Sequence, residues 1–194
     1  MSAFDRSAPG TGERLAVAVG PRLYLRPPRA TDADAFVAAM RRSRQLHRGW
    51  ASPPTSPEAY AAYLAREGRD DVAGYLFLRR RDDALVGYAN LSHIFHGALC
   101  GAVLGYNGVA GHTGRGYMTE GLGLVLREAF GRHGLHRVEA NVQPTNAASL
   151  AVVRRLGFRK EGYSPRYVRI AGEWRDHERW ALLADEPAAA PYAP

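Results

Sequence analysis

LGYNGVAGHTGRGYMTEGLGLVLREAF, residues 104–130, reads as a short apolar strand, a loop of glycine and polar residues, and an amphipathic helix. Gly111, Gly114 and Gly116 stand where a backbone must turn tightly and come close to something. The helix is expected to begin near Tyr117, with Leu122, Val125, Leu126 and Ala129 on one face at three-to-four spacing. A helix start carries unpaired N–H groups and a partial positive charge, which suits a phosphate-bearing ligand. Arg115 adds a full charge at the same place. The stretch therefore reads as a pyrophosphate cradle. A Walker loop is excluded, because Gly116-Tyr117-Met118 lacks the lysine. A dinucleotide fingerprint is excluded too, because Thr119 stands where the third glycine belongs. The plain alternative is a turn that caps a helix and binds nothing, and a second segment downstream bears on that choice.

With 194 residues, one domain can bury a proper core without disulfides or metals. Hydrophobic content of 46% and charged content of 23% are ordinary for a soluble globular chain. The one cysteine, Cys100, allows no internal disulfide and points to a reducing cytoplasm. Cys100 lies in an apolar run with Ala98 and Leu99, and is expected to be a small buried hydrophobe rather than a nucleophile. No apolar run reaches membrane-spanning length, and residues 15–19 are too short for a signal peptide. The net charge of +7 is almost wholly arginine, since Lys160 is the only lysine. A basic surface favours an anionic cofactor or a phosphate-rich partner, such as a ribosome or nucleic acid, but decides nothing alone.

Outward from the cradle, residues 1–14 read as disordered, small, polar and rich in Gly and Pro. Residues 15–19 and 22–26 read as strands around Gly20-Pro21. Thr31 and Asp34 suggest a capping box opening a helix to about Arg44, buried through Phe36, Val37 and Met40. Trp50, in a loop ahead of Pro53-Pro54, either packs over a core edge or lines a site. Ser56-Pro57-Glu58 starts a second helix, with Tyr60, Tyr63 and Leu64 inward. Residues 74–79, 85–92 and 99–106 form a strand meander with turns at Asp82-Asp83 and His96-Gly97. After the cradle helix, residues 137–143 alternate as a strand. Asn146 caps a helix to Leu156, stopped by a left-handed Gly157. Residues 158–170 and 173–183 form two strands around Ala171-Gly172, and the tail at 185–194 reads as frayed. A strand–helix–strand crossover added to a meander makes a mixed α+β sheet over residues 15–184.

This order, with residues 104–162, resembles the GNAT N-acetyltransferase superfamily. The segments GYANLSHIFHGALCGAVLGY, TGRGYMTEGL, NAASLAVVRRLGFRKEGY and GEWRDH look like its RimJ/RimL branch, the ribosomal-protein N-terminal acetyltransferases. The resemblance implies a mostly antiparallel twisted sheet of about seven strands, flanked by about four helices, with a splayed central strand pair. It implies acetyl-CoA as cofactor and no metal. The superfamily's pyrophosphate loop falls on Thr113, Gly114, Arg115, Gly116, Tyr117 and Met118. Thr113 replaces the usual Gln or Arg, and Met118 a small residue. The resemblance also places the pantetheine arm between the strand ending at Tyr106-Asn107-Gly108 and the strand at 137–143, with an oxyanion site at a backbone N–H near Gly108. Asn146 matches the asparagine that hydrogen-bonds pantetheine. Ser149 matches the serine held to protonate the departing thiolate.

Acetyl transfer from a thioester requires a neutral amine, hence a base or water relay, and a proton for the thiolate. Several relatives carry a carboxylate and a late tyrosine for these tasks; Asn141 and Val153 stand at those positions. Asn141 is then a water-orienting candidate. Glu139, on the same strand face, is either a remote base or a surface carboxylate. Trp50, Tyr167, Trp174 and Arg175 are acceptor-side candidates, with packing and turn stabilisation as the alternative. Asp176 and His177 point to opposite strand faces and suggest a cross-strand salt link rather than a catalytic pair. Glu120 suits the helix dipole without a catalytic role. The expected acceptor is a protein or peptide N-terminal α-amine, plausibly on a ribosomal protein, whose low pKa suits a weak base. The alternatives are a small amine (an antibiotic, a polyamine or an amino acid) and a non-catalytic RNA- or ribosome-binding module. A membrane partner is not expected, nor nucleic acid except through a ribosome, and the chain is expected to be a monomer or homodimer.

Overall fold

The computed structural model describes residues 13–192. Its strands and helices run, in chain order, β1 (Ala18–Val19), β2 (Leu23–Arg26), α1 (Ala33–Arg42), α2 (Arg44–His47), α3 (Pro57–Arg66), β3 (Val72–Arg79), β4 (Leu85–Phe95), β5 (Gly101–Gly108), α4 (Tyr117–Arg127), β6 (Arg137–Val142), α5 (Ala147–Arg155), β7 (Arg159–Ile170) and β8 (Glu173–Leu183). They form one mixed sheet in the order β1-β2-β3-β4-β5-β6-β8-β7. Every pairing is antiparallel except β5 with β6. That parallel pair is joined through α4, as a crossover requires.

The core lies on both faces of the sheet, and strand alternation sorts the residues between them. Leu23, Leu25, Phe77 and Leu91 pack with Leu122, Val125 and Leu126 of α4 and with Leu150 and Val153 of α5. Tyr24, Leu76, Leu78 and Tyr88 point the other way, onto Phe36 and Met40 of α1 and Tyr60 and Tyr63 of α3. Phe36 is the hub of that second layer, its ring 4.8 Å from Tyr60 and 5.0 Å from Tyr88. Burying each such ring contributes about 1.5–3 kcal/mol, so the two layers hold the sheet from both sides.

The central pair splays. Gly101, Ala102 and Val103 pair with Arg137, Val138 and Glu139, and there the pairing ends. Beyond it β5 continues to Gly108 with β4, while β6 continues to Val142 with β8. A gap opens between two strands that each remain supported on their outer side.

Several local expectations are corrected. Thr31 and Asp34 do not form the cap: a 3-10 turn, Ala30–Asp32, precedes α1, and Asp32 accepts from the Arg29 N–H at 2.8 Å. Asp32 also accepts two hydrogen bonds from Arg26, a tertiary partner that local spacing does not reveal. The first helix ends at Arg42, and Arg44–His47 forms a separate turn. Cys100 is half-buried outside β5, with positive φ and its Sγ near the Gly134 carbonyl. The tail is not frayed over Pro187–Tyr192, which form a 3-10 helix with Ala189 fully buried. Of the segment expected to be disordered, residues 1–12 lie outside the described residues. Glu13 is placed, opening a short 3-10 turn and paired with Arg80.

Candidate active site

The splay between β5 and β6 holds a cavity of about 440 Å³. Its walls are the open halves of both strands, the first turn of α5, the loop after α2, and Val168 and Ile170 of β7. The glycine turn stands at one end. Gly111, Gly114 and Gly116 all have positive φ, at 85°, 72° and 76°. A side chain at these positions would be strained, which accounts for the glycines. Gly116 is the N-cap of α4 and supplies no side-chain cap, leaving the first-turn N–H groups of α4 without one.

Arg115 is exposed and makes no ion pair among the described residues. Arg22 joins it there: its guanidinium donates to the Arg115 carbonyl at 2.9 Å and lies 4.8 Å from the Tyr117 ring centre. Glu120 holds the start of β2 to α4, accepting from the Arg22 and Leu23 N–H groups at 2.7 and 3.0 Å. Its role is structural, as its position in the first helical turn suggests. No sequence pattern announces Arg22, because a pairing 98 residues distant places it. Thr113 and Met118 line the cavity, and Met118 Sδ is packed near Gly87 and Gly108.

Asn146 caps α5 as expected, its Oδ1 accepting from the Ser149 N–H at 3.1 Å. The Ser149 hydroxyl lies 2.5 Å from the Tyr106 hydroxyl. Tyr106 comes from β5, so the contact bridges the gap between strand and helix. Burial pushes the Tyr106 phenol up to about 12, despite the opposing hydrogen bond from Ser149. The pair is thus neutral at pH 7 and can pass a proton toward a leaving group. Asn107 turns away from β6 and donates to the Tyr88 hydroxyl at 3.0 Å. The Gly108 carbonyl accepts from His47 Nε2 at 2.8 Å. His47 is 5% exposed, and burial holds its ring below the ordinary histidine range.

Asn141 lines the cavity, and its buried Oδ1 has no partner among the described residues. An unpaired buried acceptor costs free energy, so it fits a site that receives a donor from a bound molecule. Glu139 lies on the same strand face but outside the cavity wall, bonded to Arg137 at 2.7 Å. As a direct base it is out of reach. Trp50 lines the cavity, and Gln143 Nε2 fastens its loop by donating to the Gly49 carbonyl at 2.8 Å. Tyr167 sits beside the wall, 6.1 Å ring to ring from His177. Trp174 and Arg175 do not line it: Trp174 is 60% exposed, and Arg175 pairs with Glu173 near the hairpin turn. The salt link foreseen for Asp176 is absent among the described residues. Asp176 instead accepts from the Arg166 N–H at 2.7 Å and from the Tyr163 hydroxyl. His177 does enter the cavity wall.

A glycine turn opening a helix, a splayed parallel pair and a hydroxyl pair within the gap define a fold built to hold an extended anionic molecule through its sheet. The family pattern described as an acetyltransferase (GNAT) domain matches residues 22–159, and the chain belongs to that family. It is 34% identical over 173 residues to the Probable N-acetyltransferase YjcK of Bacillus subtilis, covering 84% of this chain and 95% of that one. It is 39% identical over 102 residues to the [Ribosomal protein uS5]-alanine N-acetyltransferase of Escherichia coli, a match spanning 53% of each. The structure of Mycobacterium smegmatis RimJ in complex with CoA-disulfide superposes with a TM-score of 0.77 at 31% identity, over 87% of both chains. The chain is an N-acetyltransferase with RimJ/RimL-like relatives.

Proposed function

We propose that this chain transfers the acetyl group of acetyl-CoA to the N-terminal α-amine of a protein or peptide. The observation that carries the reading is one cavity lined by Thr113 and Met118, which flank the Gly114–Gly116 turn, by the Ser149–Tyr106 pair and by Trp50. In this reading the amides of Gly114, Arg115, Gly116, Tyr117 and Met118 hold the diphosphate, with Thr113 supplying a hydroxyl. Arg115 supplies charge, and Arg22, ion-paired with Glu120 at 2.6 Å, braces the turn through the Arg115 carbonyl. The pantetheine arm follows the free edges of β5 and β6, where Asn141 Oδ1 and the Asn146 amide await partners. The amine enters from the Trp50 side and attacks the thioester carbonyl, and Ser149, backed by Tyr106, protonates the thiolate.

A protein acceptor is supported by the likeness to the Escherichia coli ribosomal-protein acetyltransferase and to Mycobacterium smegmatis RimJ. No Asp or Glu lines the cavity among the described residues, which supports an α-amine, since it loses its proton far more readily than a lysine. The test incubates the protein and acetyl-CoA with peptides starting in Ala, Ser or Met, alongside a polyamine and free amino acids, and reads products by mass spectrometry. Peptide acetylation at the α-nitrogen is expected. Turnover of a small amine with no labelled peptide would overturn the acceptor assignment. Salt-sensitive RNA binding without measurable affinity for CoA would overturn the enzyme reading.

A further inference from the structure

The reaction needs a proton acceptor on the amine side, and the positions where a carboxylate or late tyrosine was sought hold Asn141 and Val153. β8 supplies another group. Asn141 pairs with Arg179 in the β6–β8 register, and His177 lies two residues from Arg179 along β8. Cross-strand partners share a face, as do residues two apart, so Asn141 and His177 face the same side of the sheet. Both line the cavity with Trp50, Val168 and Ile170, the side that the proposed reading gives to the acceptor.

His177 is 4% exposed. Its Nδ1 lies 3.0 Å from the Arg175 carbonyl oxygen. A carbonyl only accepts, so Nδ1 carries the hydrogen, and in the neutral ring Nε2 is left with its lone pair. Nε2 makes no hydrogen bond to the described residues. His47 is wired in the opposite sense: its Nε2 donates to Gly108, and its Nδ1 is shut away from solvent. Of the two cavity histidines, His177 alone offers an accessible base.

We propose that His177 is a catalytic residue, accepting through Nε2 the proton of the acceptor ammonium. The step rests on reading the cavity as an acetyl-transfer site. The ammonium gives one proton to Nε2, and the freed nitrogen lone pair forms the C–N bond while the carbonyl pair moves onto oxygen. As the adduct collapses, the C–S bond breaks and its electrons leave with sulfur. A second nitrogen proton reaches that sulfur through Ser149 and Tyr106, and the imidazolium returns its proton to water. The products are the amide, the thiol and one proton.

Burial holds the His177 ring below the ordinary histidine range, so the base is in its working form at neutral pH. Asp176, on the opposite strand face, and the Arg175 carbonyl oppose that shift. The other titratable groups on that face or in the cavity are Arg175 and Arg179 of β8, the Tyr167 phenol of β7, the Tyr106 phenol of β5 and His47 of α2. Activity should therefore rise with pH along one limb set by His177 and level off near neutrality.

The test compares wild type with His177→Gln on whichever amine of the peptide and small-amine panel the wild type acetylates fastest. The expected result is a fall in kcat/KM of about 10²-fold or more and loss of the acidic limb, with CoA affinity by calorimetry unchanged. Retention of both rate and limb overturns the proposal while leaving the transferase reading intact. Turnover restricted to a small amine sinks the peptide reading, and the His177 comparison proceeds on that amine. If the variant does not fold, ring ¹⁵N shifts of the native protein decide. A proton on Nδ1 with Nε2 bare in the neutral ring supports the proposal, and a proton on Nε2 overturns it.

Discussion

Ser149 and Tyr106 show how a single hydrogen bond turns two ordinary residues into a candidate proton source. Their hydroxyls meet at 2.5 Å inside the splay, where burial keeps the phenol protonated. Ser149→Ala should lower kcat by about 10–100-fold while leaving CoA affinity within a few-fold. Tyr106→Phe should cost less, and the double variant little more than Ser149→Ala, because groups acting as a unit are not additive. Steady-state kinetics with calorimetric CoA binding measure all three, and additive losses would separate the two hydroxyls. The sequence offered Ser149 through its resemblance to the family serine, one helical turn beyond Asn146. The resemblance set Tyr106 beside the pantetheine arm but not against Ser149, since nothing local says which helix its ring reaches. His177 was visible beside Asp176, yet its place in the cavity follows from β6–β8 register and from the Arg175 carbonyl.

Among the elements, α4 depends most on a close approach. Gly121 faces β3, and a Cβ there would clash with the Phe77 ring, 2.6 Å from Cε2 and 2.8 Å from Cγ. Alanine favours a helix over glycine by about 1 kcal/mol, but overpacking a core costs about 1–3 kcal/mol. The clash is with a ring buried at 0% exposure, so it should win. Gly121→Ala is expected to lower the midpoint of denaturant unfolding, and adding Phe77→Leu should restore much of the loss. A single variant more stable than wild type would show that α4 can lift away from the sheet. The start of α4 at Tyr117 and its buried stripe were legible, because periodicity and the glycine turn are local signals. The reason for Gly121 was not, since only the contact with β3 supplies it.

At the scale of the whole molecule, the last described segment closes the α4–α5 side. Ala189 is fully buried, Ala188 packs on Gly157, and the Tyr192 ring approaches Gly123 of α4. Removing residues 187–194 should lower Tm by several degrees, since losing about 2 kcal/mol shifts a domain of this size by roughly 4–8 °C. A calorimetric scan of the truncation checks this, and an unchanged Tm would restore the frayed reading. Composition misleads here: a run of Ala and Pro looks inert, yet Ala188 is what fits against Gly157, while the Tyr192 ring covers Gly123.

The sequence by itself determined the mixed α+β class, the crossover at residues 104–130, the glycine turn and the Asn146–Ser149 pair. Each of these is written in residues within about one turn or one strand of each other. Only the tertiary structure decided which of the candidates share a cavity: it drew in His47 and His177, set Arg22 beside the glycine turn, and left Glu139, Trp174 and Arg175 outside the wall. The physical reason is that membership of the site follows from where β5 and β6 part and which neighbours support each. Those are contacts between segments tens of residues apart, and no local pattern encodes them.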